Sequence, residues 1–110
     1  MPWREGRDMQ FVLTGRDGKD AGAQERRKQM RDAHLAQVDK LVAAGHALMG
    51  VALLDEDGQM CGSLMVLDFP DRAALDAWLE NEPYVTGRVW ETIEITEGKV
   101  APAFQKKRAS

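Results

Sequence analysis

The chain has 110 residues, with 15 basic and 18 acidic side chains, a formal net charge of −3 and 44% hydrophobic residues. That length carries one hydrophobic core rather than two domains, and the mixed charges offer no broad basic field for a phosphate backbone, so nucleic acid is not an expected partner. A single cysteine, Cys61, excludes an internal disulfide and a paired-thiol metal clip; apolar runs such as Val51 to Leu54 are far too short for a membrane span and the opening MPWREGRD lacks an apolar leader, so a cytoplasmic protein is expected.

Residues 1 to 8 are polar and aperiodic, and read as a flexible N-terminal segment. Met9 to Thr14 alternates as a strand, with Met9, Phe11 and Leu13 on one face. Gly15, Asp17, Gly18 and Gly22 break that pattern and read as turn. A long helix follows from about Gln24 to Ala44, with Leu35, Val38, Leu41 and Val42 at helical spacing and Gly45 at its end. His46 to Leu54 and Met60 to Phe69 read as a hairpin around the acidic turn Asp55 to Gln59. Pro70 and Asp71 open a second helix in which Ala74, Leu75, Trp78 and Leu79 form one stripe, and Glu82-Pro83 stops it. Val89 to Thr96 is the last strand. The tail, residues 97 to 110, holds Lys106, Lys107 and Arg108, which read as a solvated end rather than a nucleic-acid patch.

The order is β-α-β-β-α-β. It predicts an α+β domain over residues 9 to 96, ferredoxin-like, with both helices on one face of a four-stranded antiparallel sheet. The hairpin strands are apolar on both faces: residues 47 to 54 are apolar apart from Gly50, and Leu64 to Leu67 are apolar without a break. Two helices cover one face only. The other is expected to pack against the same face of a second copy, giving a homodimer built as a dimeric α+β barrel.

Stepping from Leu41 toward the start of the first helix by threes and fours gives Val38, His34, Arg31 and Arg27. The stripe turns from apolar to polar, which places an imidazole and two guanidinium groups in line with the core, at a rim or cavity. Such an imidazole can exchange a proton near neutral pH, and an arginine can hold an anion. The same pattern also fits a helix that overruns the sheet edge and leaves these side chains in water. A histidine acting as base needs an orienting carboxylate. Asp32 points off the stripe, Asp55 fits a turn, and Glu82, on the element that covers the same sheet face, is the third candidate. His46, after Gly45 at a strand opening, fits a partly exposed structural histidine. Neither histidine belongs to a ligand pair and Cys61 is alone, so no metal is expected.

Arg27-x3-Arg31-x2-His34-Leu35, then Leu41 and Gly45, Gly50, Asp55-x2-Gly58, Gly62-Ser63 and Glu82-Pro83-Tyr84 form an ordered set that resembles the YCII-related (YciI-like) family over about residues 9 to 96. The resemblance implies the dimeric barrel and a pocket centred on a histidine and an aspartate. By position His34 matches the histidine and Glu82 the aspartate of an Asp-Pro-Tyr/Phe motif, a departure that adds one methylene. A second departure is Val51, where the family often has proline. Gly50, Ser63 and Tyr84 join Arg27 and Arg31 as expected substrate-binding residues.

One activity known in that family is elimination of HCl from a chlorinated hydroxyquinol, and related barrels include muconolactone isomerases; both move protons beside a carbonyl or enol without metal or organic cofactor. The resemblance therefore implies a cofactor-free lyase or isomerase acting on a small oxygenated molecule, with His34 as base and Glu82 as its orienting partner. A non-catalytic small-molecule-binding or accessory dimer is the alternative, and a ligand-free structural module the third reading.

Overall fold

The computed structural model describes residues 8 to 105. The N-terminal segment through Arg7 and the basic residues Lys106, Lys107 and Arg108 lie outside the described residues. The elements are β1 (Met9–Asp17), α1 (Ala23–Ala44), β2 (Ala47–Leu54), β3 (Met60–Phe69), α2 (Arg72–Leu79), α3 (Pro83–Thr86) and β4 (Trp90–Gly98). The four strands pair antiparallel in the order β2-β3-β1-β4. This is the ferredoxin-like α+β arrangement expected from the element order.

Strand register separates the two sheet faces. Phe11 pairs with Leu67 and Leu13 with Met65, and all four are buried beneath the helices together with Phe69, Leu41, Leu75, Tyr84 and Trp90. Leu75 on α2 is fully buried; truncating such a side chain to alanine costs about 2–5 kcal/mol. On the opposite face Val12 pairs with Val66, and Leu64 with both Thr14 and Val51. This is the face away from the core under α1 and α2. Edge strand β2 is accordingly open, with Met49 53%, Val51 46% and Leu54 60% exposed. No helix among the described residues is long and apolar enough to cross a membrane.

Three differences from the sequence reading bear on the site. First, β1 does not end at Thr14 but continues through Gly15 to Asp17. Gly15 is a slot rather than a turn residue: a Cβ there would lie 2.4 Å from the Trp90 indole. Second, the segment after Pro70 is two helices. Asp71 caps α2 by accepting from the Ala74 N–H at 2.8 Å, α2 stops at Leu79, and Glu82, with extended backbone, caps α3 instead of ending α2. Third, β4 continues past Thr96 to Gly98, and the following segment is fastened. Gln10 Oε1 accepts from the Val100 N–H at 2.6 Å, and Gln105 Nε2 donates to the Val100 carbonyl at 2.7 Å.

Candidate active site

Of the stripe along α1, Arg27, His34 and Leu41 are buried, Val38 is half-buried and Arg31 is exposed. Leu41 joins the apolar core, whereas Arg27 and His34 are buried among polar partners. The reading of a helix overrunning the sheet into water does not apply to these two. It describes part of Arg31, which is exposed and has no ion pair among the described residues, yet lines a cavity.

His34 Nδ1 lies 2.5 Å from Glu82 Oε1. Glu82 is fully buried, and the same oxygen accepts from the Tyr84 N–H at 3.0 Å. An ionised carboxylate only accepts, so with Glu82 in that form the contact requires N–H at His34 Nδ1. The extra methylene of Glu82 is accommodated by its place in the chain. From a capping position between two helices its side chain folds back over the start of α3 and still meets the ring. Glu82 Oε2 is buried with no hydrogen-bond partner among the described residues. The imidazole is clamped by rings: Tyr84 stacks on it with centroids 3.9 Å apart at 9°, and Trp90 stands edge-on at 6.1 Å.

Beneath these rings lies a second cluster. Arg27 pairs with Asp17, Nε to Oδ2 at 2.7 Å, and donates to the Gly62 carbonyl at 2.8 Å, Ser63 Oγ at 2.8 Å and the Tyr84 hydroxyl at 3.2 Å. Its guanidinium carbon also sits 4.6 Å from the Tyr84 ring centroid. Burial raises the Tyr84 hydroxyl above the usual phenol range, partly offset by the positive charges of Arg27 and Arg31. Trp90 Nε1 donates to Ser63 Oγ at 3.2 Å.

A cavity of about 460 Å³ opens beside both clusters, lined by Arg27, Arg31, His34, Ser63, Tyr84 and Gly50 among others, with aliphatic walls from α1 and β2. This is the size range of small-molecule sites. At Gly50 an added Cβ would meet nothing within 4 Å, so the missing side chain leaves open space at the cavity edge. Among the described residues, no three His, Cys, Asp or Glu side chains converge to hold a metal ion.

All seven residues expected from the sequence therefore border the cavity or, for Glu82, its histidine. The remaining candidates are elsewhere. Asp55 Oδ1 accepts from the Asp57 and Gln59 N–H groups inside its turn, and Asp32 is exposed on α1. His46 stacks on Phe69 and its Nδ1 contacts the Asp68 carbonyl at 2.8 Å, away from the cavity. Two members escaped the sequence reading, Asp17 and Trp90. Asp17 looked like part of a glycine-rich turn; continuing the period-two alternation Phe11, Leu13, Gly15 would have put it on the buried face.

Comparison with known proteins follows this geometry. The sequence matches the YCII-related domain over residues 9–99. A protein YciI of Escherichia coli O6:H1 is 28% identical over 93 residues, covering 79% of this chain and 93% of that protein. Among solved structures, the 5-chloro-2-hydroxyhydroquinone dehydrochlorinase TftG of Burkholderia phenoliruptrix AC1100, in complex with 2,5-dihydroxybenzoquinone, superposes with a TM-score of 0.73 at 21% identity, covering 86% of this chain and 98% of that one. A Pseudomonas aeruginosa protein shares the fold at a TM-score of 0.51 and 16% identity, over 86% of this chain and 96% of that one.

Proposed function

Because the chain belongs to the YCII-related family, we propose that it is a cofactor-independent lyase or isomerase that moves a proton on a small oxygenated molecule held in the cavity. One observation carries this reading: His34 meets a fully buried carboxylate through Nδ1 and lines a cavity large enough for a ring-sized ligand. Nε2 is the general base. When it takes a proton, the positive charge that forms on the imidazole is met by Glu82 at 2.5 Å, and the Tyr84 stack keeps the ring from turning away. Arg31, which lines the cavity and has no ion pair among the described residues, receives the anionic part of the ligand, and Gly50 leaves the room it occupies.

The Burkholderia neighbour is named a dehydrochlorinase, and net loss of HCl is a reaction in which a base can take the proton while chloride leaves with its bonding pair. The test is chloride release from 5-chloro-2-hydroxyhydroquinone by the wild type and by His34→Ala. Turnover by the wild type that is lost in the variant supports the reading. Turnover that persists in a folded His34→Ala refutes it. Binding of that compound without any turnover favours the non-catalytic binding domain, to which the exchange of the family aspartate for Glu82 also points.

A homodimer through the open sheet face completes the proposal. Val12, Leu64, Val66, Met49 and Val51 form an apolar surface there that water would otherwise wet. Light scattering at micromolar concentration should give twice the chain mass, and a stable monomer would remove this part. The lone, half-buried Cys61 suits the reducing cytoplasm.

A further inference from the structure

We propose that the Ser63 hydroxyl is a fixed donor for a ligand oxyanion, polarised by Arg27, so that the cavity takes its ligand as a phenolate or enolate rather than as the neutral phenol or ketone. This rests on the cavity being the ligand site and adds the charge state of what binds there. A serine hydroxyl has two lone pairs and one proton. Both lone pairs are engaged, since Arg27 Nη2–H donates to Oγ at 2.8 Å and Trp90 Nε1–H donates at 3.2 Å. Among the described residues no acceptor takes the proton, and Ser63 lines the cavity. The proton is the one hydrogen-bonding function of this side chain left for a ligand.

Arg27 is not available to bind the ligand in the same way. It is 4% exposed, and four of its five N–H groups already serve Asp17, Gly62, Ser63 and Tyr84. Its charge acts through Ser63: a cation donating to Oγ draws electron density from it and strengthens the O–H as a donor, because linked hydrogen bonds polarise one another where the dielectric is low. Asp17 fixes Arg27 at 2.7 Å, and Asp17 is itself placed where the β1–β4 register shifts between Arg16 and Asp17. A Cβ on Gly62 would meet the Gly15 carbonyl oxygen at 2.7 Å, so β1 and β3 are in close backbone contact beside Ser63. A donor held before the ligand arrives pays no reorganisation when charge develops on the ligand oxygen.

The arrangement also divides labour within the site. His34 Nε2 accepts a proton, Ser63 donates a hydrogen bond, and a molecule that bridges them loses a proton to the first while its oxygen gains charge at the second. Molecules with an acidic C–H or O–H conjugated to a carbonyl have both groups on one frame.

The probe is 4-nitrophenol, whose yellow phenolate reports binding and ionisation together by visible absorption. Wild type should bind the phenolate in preference to the phenol, with the bound dye ionising at lower pH than the free dye. Ser63→Ala should weaken phenolate binding about tenfold, the order expected for one hydrogen bond to a charged group. It should also move the ionisation of the bound dye upward by up to about one pH unit, because the neutral phenol loses a weaker hydrogen bond than the phenolate does. Arg31 is present in both proteins, so its attraction cancels. Thermal melting checks the fold, and Ser63→Cys, a near-isostere with a weak donor, gives an intermediate shift should Ser63→Ala fail to fold. Equal phenolate binding and ionisation in wild type and variant would overturn the donor alone. Preference of the wild type for the neutral phenol would also overturn it. Failure of both dye forms to bind wild type would bring down the cavity reading itself and this inference with it.

Discussion

His34 and His46 each lie face to face on an aromatic ring, at 3.9 Å on Tyr84 and 4.6 Å on Phe69, both at 9°. Each also commits Nδ1 to an oxygen. The difference lies in the oxygen. His34 meets a carboxylate that is fully buried, whereas His46 meets the neutral Asp68 carbonyl at 2.8 Å on a half-buried edge. A carbonyl orients a ring but does little for a charge forming on it. A buried carboxylate does both, because its attraction for an imidazolium is weakly screened there. Only His34 adjoins the cavity.

The largest effect expected from breaking this comparison is on turnover. His34→Ala should lower kcat for chloride release from 5-chloro-2-hydroxyhydroquinone by about 10²–10⁴-fold, the usual contribution of a general base. His46→Ala should leave kcat unchanged and show only in thermal melting. Equal losses in the two variants would mean that the carboxylate does not distinguish them.

Glu82→Gln comes next. The amide oxygen can still accept from Nδ1–H, so ring orientation survives while the countercharge is lost. We expect a fall of about 10²-fold or more in kcat with little change in KM, checked by steady-state kinetics. Glu82→Asp sharpens the same point. It supplies the aspartate that the family resemblance implies at this position, and a variant more active than the wild type would show that the methylene costs activity.

Gly50→Leu probes the space beside His34 and not its electrostatics. No atom lies within 4 Å of a Cβ at this position, so melting should hardly move while KM rises about tenfold as the cavity edge fills. An unchanged KM would place the ligand elsewhere.

The smallest effect concerns the ring under His34. Tyr84 is the chain's one tyrosine, so alkaline ultraviolet titration reads it alone. Burial raises its hydroxyl above the unfolded value of about 10, with Arg27 and Arg31 pulling it back in part. A raised phenol means that folding favours the neutral form. Its contribution is therefore fully present below about pH 10 and is lost as pH climbs through the folded value. Titration at or below the free-phenol value in the folded protein would contradict the burial of the stack.

Much of this site could be read from the chain because it lies on regular elements. The spacing of Arg27, Arg31, His34 and Leu41 is a helical face, and a face is a property of local sequence. The gaps arose where regularity ends. Gly15, Asp17 and Gly18 carry the composition of a turn, yet Gly15 is small because the Trp90 indole lies across it, and that partner is distant in sequence. Glu82 before Pro83 marks a helix stop. That it caps the next helix and thereby folds back onto His34 depends on the break after Leu79, which helix propensity does not locate.

The sequence by itself determined the ferredoxin-like order of elements and the polar half-stripe of α1, since both follow from periodicity and short-range breaks. Only the tertiary structure decided which oxygen meets which ring. The Glu82 carboxylate, the Asp17–Arg27 pair and the two donors on Ser63 are made between residues 10 to 48 positions apart. Such contacts exist because burial removes water as an alternative partner and forces each polar group to find another within the chain.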